Sequence, residues 1–143
     1  MRLKSINVFS AYLGEENETK ERTRELRKDS DFLNYVFSKK IKYIDNNLLR
    51  QLNISCSPLA KEINIDMGLL EGYPVITIPF DYDAYCILSD NEKNTFWVDE
   101  ITKVLIFLRP LMNCKGDEPD IFINLLSEMS DEEIQKIKNK IQV

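Results

Sequence analysis

The amino-acid sequence predicts an α+β fold, an antiparallel sheet of about four strands packed against several helices, and three observations carry that reading. Residues 61–69 alternate strictly, with Ile63, Ile65, Met67 and Leu69 on one side and Glu62, Asn64, Asp66 and Gly68 on the other, the period of a half-buried strand. Trp97, Ile101, Val104, Leu105 and Leu108 instead recur at the period of one helical face. Strand and helix patterns do not alternate regularly along the chain, which favours strands grouped in one antiparallel sheet with helices on one face.

Residues 3–12 place Ile6, Val8 and Tyr12 on one side of a strand and Ser5 and Asn7 on the other. From Thr19 to Lys28 both signs of charge interleave on good helix formers, a solvated helix that Leu26, Leu33, Val36 and Phe37 extend to about Ser38. Asp29, Ser30 and Asp31 stand in its middle as a break or a second cap. Asp45 is placed to cap a short helix carrying Leu48, Leu49 and Leu52. Residues 53–57 alternate until Pro58 stops them, which suits a short strand at a sheet edge.

The strand over 61–69 connects through Leu70, Glu71 and Gly72 to the extended apolar segment 73–80. So short a connection joins only antiparallel neighbours, and the pair reads as a hairpin, with Pro74 and Pro79 near strand ends or on an outward-facing ladder position. Ser89 and Glu92 then form a capping box that starts a helix at Asp90. Its five large apolar side chains represent roughly 7 to 15 kcal/mol of gross transfer energy, so it must lie on something equally apolar. Asp99 and Lys103 make an exposed i,i+4 pair. Pro110 kinks or ends the helix and Gly116 marks a turn. Asp117 is expected to cap a helix carrying Ile121, Phe122, Leu125 and Leu126. A second capping box, Ser130 to Glu133, opens a last helix with Ile134, Ile137 and Ile141 on one face. Lys136, Lys138 and Lys140 near its end complement the dipole.

At 143 residues, without a linker-like tract or internal repeat, the chain reads as a single domain spanning 1–143, long enough to bury a core unaided. No run of 18 apolar residues offers a membrane span and no signal-peptide core follows Met1, so a cytoplasmic protein is expected. Cys56, Cys86 and Cys114 lack CxxC spacing and read as buried reduced thiols.

The chain contains no histidine. This removes Ser-His and Cys-His nucleophile pairs, histidine acid–base catalysis and imidazole metal sites, leaving carboxylates, lysine and tyrosine as enzymatic groups. No glycine-rich phosphate loop or GxSxG elbow is present, and no cofactor is expected. Asp81, Asp83, Tyr85, Ile87, Ser89 and Glu92 fall at calcium-loop spacing. Tyr85 stands where an oxygen-rich Asp or Asn is wanted and Cys86 where the turn needs glycine, so no metal is expected. Charge divides unevenly: residues 1–60 carry net +3 and residues 61–143 net −8. An acidic surface of this kind repels nucleic acid and anionic lipid and steers a basic protein partner inward.

Tyr82 and Tyr85, beside Asp81 and Asp83, are the expected exposed anchors of such a contact. Residues Pro79 to Asp83, Tyr85, Leu88 and Ser89, Glu92 and Lys93, and the helix opening with Phe96 and Trp97 resemble a pattern found in small bacterial cytoplasmic proteins, some of them immunity proteins for polymorphic toxins. The resemblance covers about a third of the chain. It implies a binding role, and together with the acidic, histidine-free chain it makes a non-catalytic protein that binds a basic partner, such as a toxin domain it neutralises, the leading expectation. The alternative is a small enzyme or ligand-binding domain in which the Asp81 and Asp83 carboxylates work as a pair, a pocket enclosing both being the feature that would favour it.

Overall fold

A computed structural model describes the backbone of residues 1–10, 16–41, 44–116 and 120–141. The architecture is α+β, with a four-stranded sheet in the order β1-β3-β5-β4. β1 (Ser5–Ser10), β3 (Gln51–Ser57) and β5 (Val75–Pro79) are mutually parallel, and only β4 (Asn64–Asp66) is antiparallel to its neighbour. The sheet is therefore mostly parallel, not antiparallel as the sequence suggested. The cause is the long helix α1 (Glu16–Lys40), which carries the chain back from the end of β1 so that β3 starts beside the start of β1. The expected hairpin exists in shortened form as β4 and β5. Met67 and Leu69, expected on its buried side, lie beyond β4 and are exposed.

β3 lies at the centre of the sheet, where an edge strand was expected. Its polar residues misled because the two sides of the sheet differ. Ile6, Val8, Leu52, Ile54, Cys56, Ile76 and Ile78 are all buried on one side. The other side carries Ser5, Asn7, Gln51, Asn53, Ser55 and Thr77, linked in part by hydrogen bonds from Ser5 Oγ to Gln51 Oε1 (2.9 Å) and from Gln51 Nε2 to Asn53 Oδ1 (2.6 Å).

The helices pack over the apolar side. α3 (Asp90–Met112) begins at Asp90, and the Ser89–Glu92 capping box is complete, with both reciprocal hydrogen bonds formed. Those bonds from Ser89 hold the Glu92 carboxyl below its usual range. Trp97, Ile101, Val104, Leu105 and Leu108 are all buried, as their spacing predicts. Lys103 pairs with Glu100 (3.4 Å) and not with Asp99. Pro110 falls in the last turn. The carbonyl it leaves without a helical donor belongs to the exposed Ile106, and the helix closes at Asn113 in a left-handed cap (φ 46°). α4 (Asp120–Glu128) contributes Phe122, set edge-on to Phe37 at 5.2 Å, and α5 (Asp131–Ile141) contributes Ile134.

Three local expectations fail for identifiable reasons. Asp29 and Ser30 do not break α1, because both side chains are buried against tertiary partners and do not compete for the local backbone. Asp45 caps no helix: it lies in β2 (Ile44–Asp45), which pairs antiparallel with β6 (Lys115–Gly116), so Gly116 is a strand residue. The buried Asn46 side chain accepts from the amides of Leu48 and Leu49 and donates to the Leu49 carbonyl, which folds that segment into a turn. Gly72 adopts φ 91°, and its carbonyl accepts from the Arg50 amide (2.7 Å) as the chain turns into β5. Tyr12 and Asp117, the expected strand residue and helix cap, lie outside the described residues.

Candidate functional site

β3 and β5 both end at one margin of the sheet, and the chain leaves β5 directly into α2 (Tyr82–Cys86). Asp81 caps this helix, its Oδ1 accepting from the Ala84 amide (3.1 Å). The one turn of helix puts Tyr82 and Tyr85 on its inner side and leaves Asp81, Asp83, Ala84 and Cys86 exposed.

Both tyrosines were expected at the surface, and both are buried, at 5 % and 2 % exposure. Tyr82 donates its hydroxyl to the Cys56 carbonyl (3.0 Å), and Tyr85 donates to Asp29 Oδ2 while accepting from Trp97 Nε1 (2.8 Å). Their rings join Phe80, Phe96 and Trp97 in one aromatic cluster, with Phe80 edge-on to Tyr82 and Phe96, tilted against Tyr85 and stacked on Trp97. A phenol whose hydroxyl finds a partner in the interior has no reason to stay in water. The tyrosines are therefore pegs that hold α2, not the exposed anchors the sequence suggested, although Tyr82 still lines the cleft beside Asp81 and Asp83.

Asp81 and Asp83 remain at the surface as expected. They line an open cleft of about 470 Å³ together with Pro58, Ala60, Pro79 and Phe80. Two aliphatic side chains stand out in the flanking segments: Leu59 is 77 % exposed and Ile87, the C-cap of α2, is 84 % exposed. Glu92, the last position of the calcium-like spacing, is committed to its capping box. Of the three cysteines only Cys56 is buried, its thiol raised by desolvation and then by the charge of Glu100; Cys86 is exposed and Cys114 intermediate.

Behind α2 lies a buried charge cluster. Asp29 on α1 is 3 % exposed and accepts from Tyr85 and from Lys138 Nζ on α5 (3.0 Å). Lys138 also donates to Asp90 (3.0 Å) at the start of α3. Lys93 Nζ lies 3.9 Å from Asp29 and donates to Glu25 (3.1 Å), with its ammonium 5.2 Å from the centre of the Tyr85 ring. Desolvation alone would lower the Lys138 pKa; the Asp29 charge and the hydrogen bonds to Asp90 and Asp29 outweigh it, so the net shift is upward. Tyr85 is held strongly in its neutral form by desolvation and then by the Asp29 charge. The cluster ties α1, α2, α3 and α5 together at one point.

Asp29, Lys93 and Lys138 escape a reading that assigns charged residues to solvent. The signal that marks them is position. Lys93 is four residues before Trp97, Lys138 four after Ile134, and Asp29 three after Leu26, so each stands on the apolar stripe of its helix. No helix among the described residues is long and apolar enough to cross a membrane. No family model, no curated protein and no solved structure matches the chain.

Proposed function

We propose that this chain is a non-catalytic cytoplasmic binding protein that recognises a basic protein partner through Asp81 and Asp83, in the way of immunity proteins that neutralise a basic toxin domain. One observation carries the reading. A short helix pinned from behind by two buried tyrosines presents two exposed carboxylates beside an open cleft, with the exposed Leu59 and Ile87 close by in the chain. Carboxylates held on a rigid backbone steer a cation-rich partner, and exposed aliphatic groups supply the apolar contact that slows its departure. The −8 carried by residues 61–143 adds long-range attraction of the same sign. The reading calls for neither metal nor cofactor.

The test is capture of partners from the source lysate on the immobilised protein, followed by binding kinetics of what is retained. The expected partner is basic, its association slows steeply with salt, and Asp81→Asn with Asp83→Asn lowers the on-rate several-fold. Leu59→Ser or Ile87→Ser should raise the off-rate. Retention of acidic or small ligands alone, or kinetics indifferent to all four substitutions, refutes the proposal.

A second reading draws on the position of the cleft. It lies past the ends of the parallel strands β3 and β5, where open α/β sheets bind small molecules. A ligand-binding or enzymatic domain using the Asp81 and Asp83 pair would show saturable binding of a small cation that Asp81→Asn abolishes, with no protein partner retained.

A further inference from the structure

A second concavity lies on the α-helical layer and differs in chemistry from the Asp81 surface. It is a groove of about 500 Å³ between α1 and the turn joining α4 to α5, a size in the ordinary range for small-molecule sites. Its floor is apolar and comes from separate elements: Val36 of α1, Leu125 of α4, Met129 of the turn and Ile137 of α5. The last three are only half-buried, although each packs against the core.

One end of the groove is cationic. Tyr35 is half-buried there, and the ammonium groups of Lys39 and Lys140 each stand 5.7 Å from the centre of its ring. Lys40 and Lys136 line the same groove, all four lysines are exposed, and the ion pairs among the described residues engage other cations. The lining acids are Glu128 and Glu133, the latter accepting from the Ser130 hydroxyl (3.2 Å) at the start of α5. Three lining lysines, Lys39, Lys40 and Lys136, against two lining glutamates, with Lys140 beside the lining Tyr35, leave a positive field on a chain of net charge −5. The Tyr35 phenol registers that field: a hydrogen bond with Lys140 and the charges of Lys140, Lys39 and Lys40 outweigh desolvation and hold its pKa below the ordinary tyrosine value.

We infer that this groove binds a small amphipathic anion, with its apolar body on Val36, Leu125, Met129 and Ile137 and its carboxylate or phosphate head between Lys39, Lys140 and the Tyr35 hydroxyl. Half-buried apolar groups from three helix-linked segments gain burial from such a body, and exposed ammonium groups that no carboxylate among the described residues pairs with gain a counter-ion. Neither feature alone selects a ligand; together they select one that is apolar at one end and anionic at the other. The inference is independent of the binding role given to Asp81 and Asp83, which lie on another surface and attract the opposite charge.

The experiment is an amide NMR titration of the full chain, in parallel, with decanoate, decyl phosphate, decanol and inorganic phosphate. Saturable shifts around Tyr35, Leu125 and Ile137 are expected with decanoate or decyl phosphate below about 1 mM, and the tighter of the two identifies the head group. Decanol and inorganic phosphate should each bind at least about tenfold more weakly. Lys39→Gln combined with Lys140→Gln, both exposed and so harmless to folding, should weaken the amphiphile about tenfold, and Tyr35→Phe by a smaller factor. Equal binding of decanol would make the groove merely apolar, and equal binding of inorganic phosphate merely cationic; either overturns the inference. So would shifts centred elsewhere, absence of saturation, or affinity unchanged in the lysine variant.

Discussion

Removing Asp29 tests the buried cluster most sharply, because each of its partners responds differently. Asp29→Ala takes away the acceptor of the Tyr85 hydroxyl and the buried partner of Lys138, leaving Lys138 with Asp90 alone at the surface. Breaking a buried ion pair from one side costs about 3 to 5 kcal/mol, and the orphaned phenol adds about 1 kcal/mol, so a loss of about 4 kcal/mol or more is expected. Lys138→Met keeps the stem and spares Asp29 its Tyr85 hydrogen bond, with Lys93 still 3.9 Å away, so about 2 to 3 kcal/mol is expected. The double variant leaves no stranded charge between the two and should cost about 2 kcal/mol less than the sum. Urea unfolding followed by circular dichroism gives all four corners of the cycle, and Trp97, the single tryptophan, reports on the same cluster by fluorescence. Additivity within about 0.5 kcal/mol would mean that Asp29 and Lys138 do not interact, and the account of how the helices are joined would fall.

Trp97→Ala should cost about 3 to 5 kcal/mol in the same assay, since the ring is 2 % exposed and its loss also strips a donor from Tyr85; a cost under about 1 kcal/mol would place the ring at the surface. Ser89→Ala removes the N-cap of α3 and should cost about 1 kcal/mol, with no change in the urea dependence. Stability should also fall on the alkaline side. Lys138 and Tyr85 have raised folded-state pKa values, so their contribution is complete below the unfolded values near 10 and is lost as pH rises through the folded ones. Unfolding free energies measured from pH 7 to 11 should decline above about pH 10, and Lys138→Met should flatten that limb. A flat profile in the parent protein would contradict both assignments.

The long helices were legible in the sequence because their signals are local, whereas the short helix expected after Asp45 does not form and the single turn of α2 was not foreseen. The Ser89 and Glu92 box marks the start of α3 to the residue, and the stripe from Trp97 to Leu108 is the buried face observed. Strand direction was not legible, because it depends on where α1 delivers the chain and not on any residue of β1 or β3. Periodicity likewise assigns a face and cannot tell whether water reaches it: Asn53 and Ser55 look like edge residues, although β3 is central and both are buried. At the candidate site Asp81 and Asp83 are exposed, whereas the two tyrosines expected beside them at the surface are buried. Tyrosine serves equally well as an interface anchor or as a buried hydrogen-bond donor. Only the presence of Asp29 and the Cys56 carbonyl behind α2 decides between them.

The outer edge of β1 is sealed by a helix. Ser30 Oγ and Asn34 Oδ1, one turn apart on α1, accept from the amides of Val8 and Ile6, two residues apart on the strand (2.9 and 3.0 Å). At the opposite margin β4 is three residues long and carries the exposed Asn64 and Asp66. A sheet so finished offers little backbone for another chain to zip onto, so recognition by strand addition is closed to it at one end and curtailed at the other. Copies of this protein should resist growing into ribbons even where their apolar loops meet. Any partner would therefore be distinguished by the side chains it touches, and Ser30→Ala, which takes the acceptor from the Val8 amide, would reopen a sticky margin and show itself first as concentration-dependent self-association.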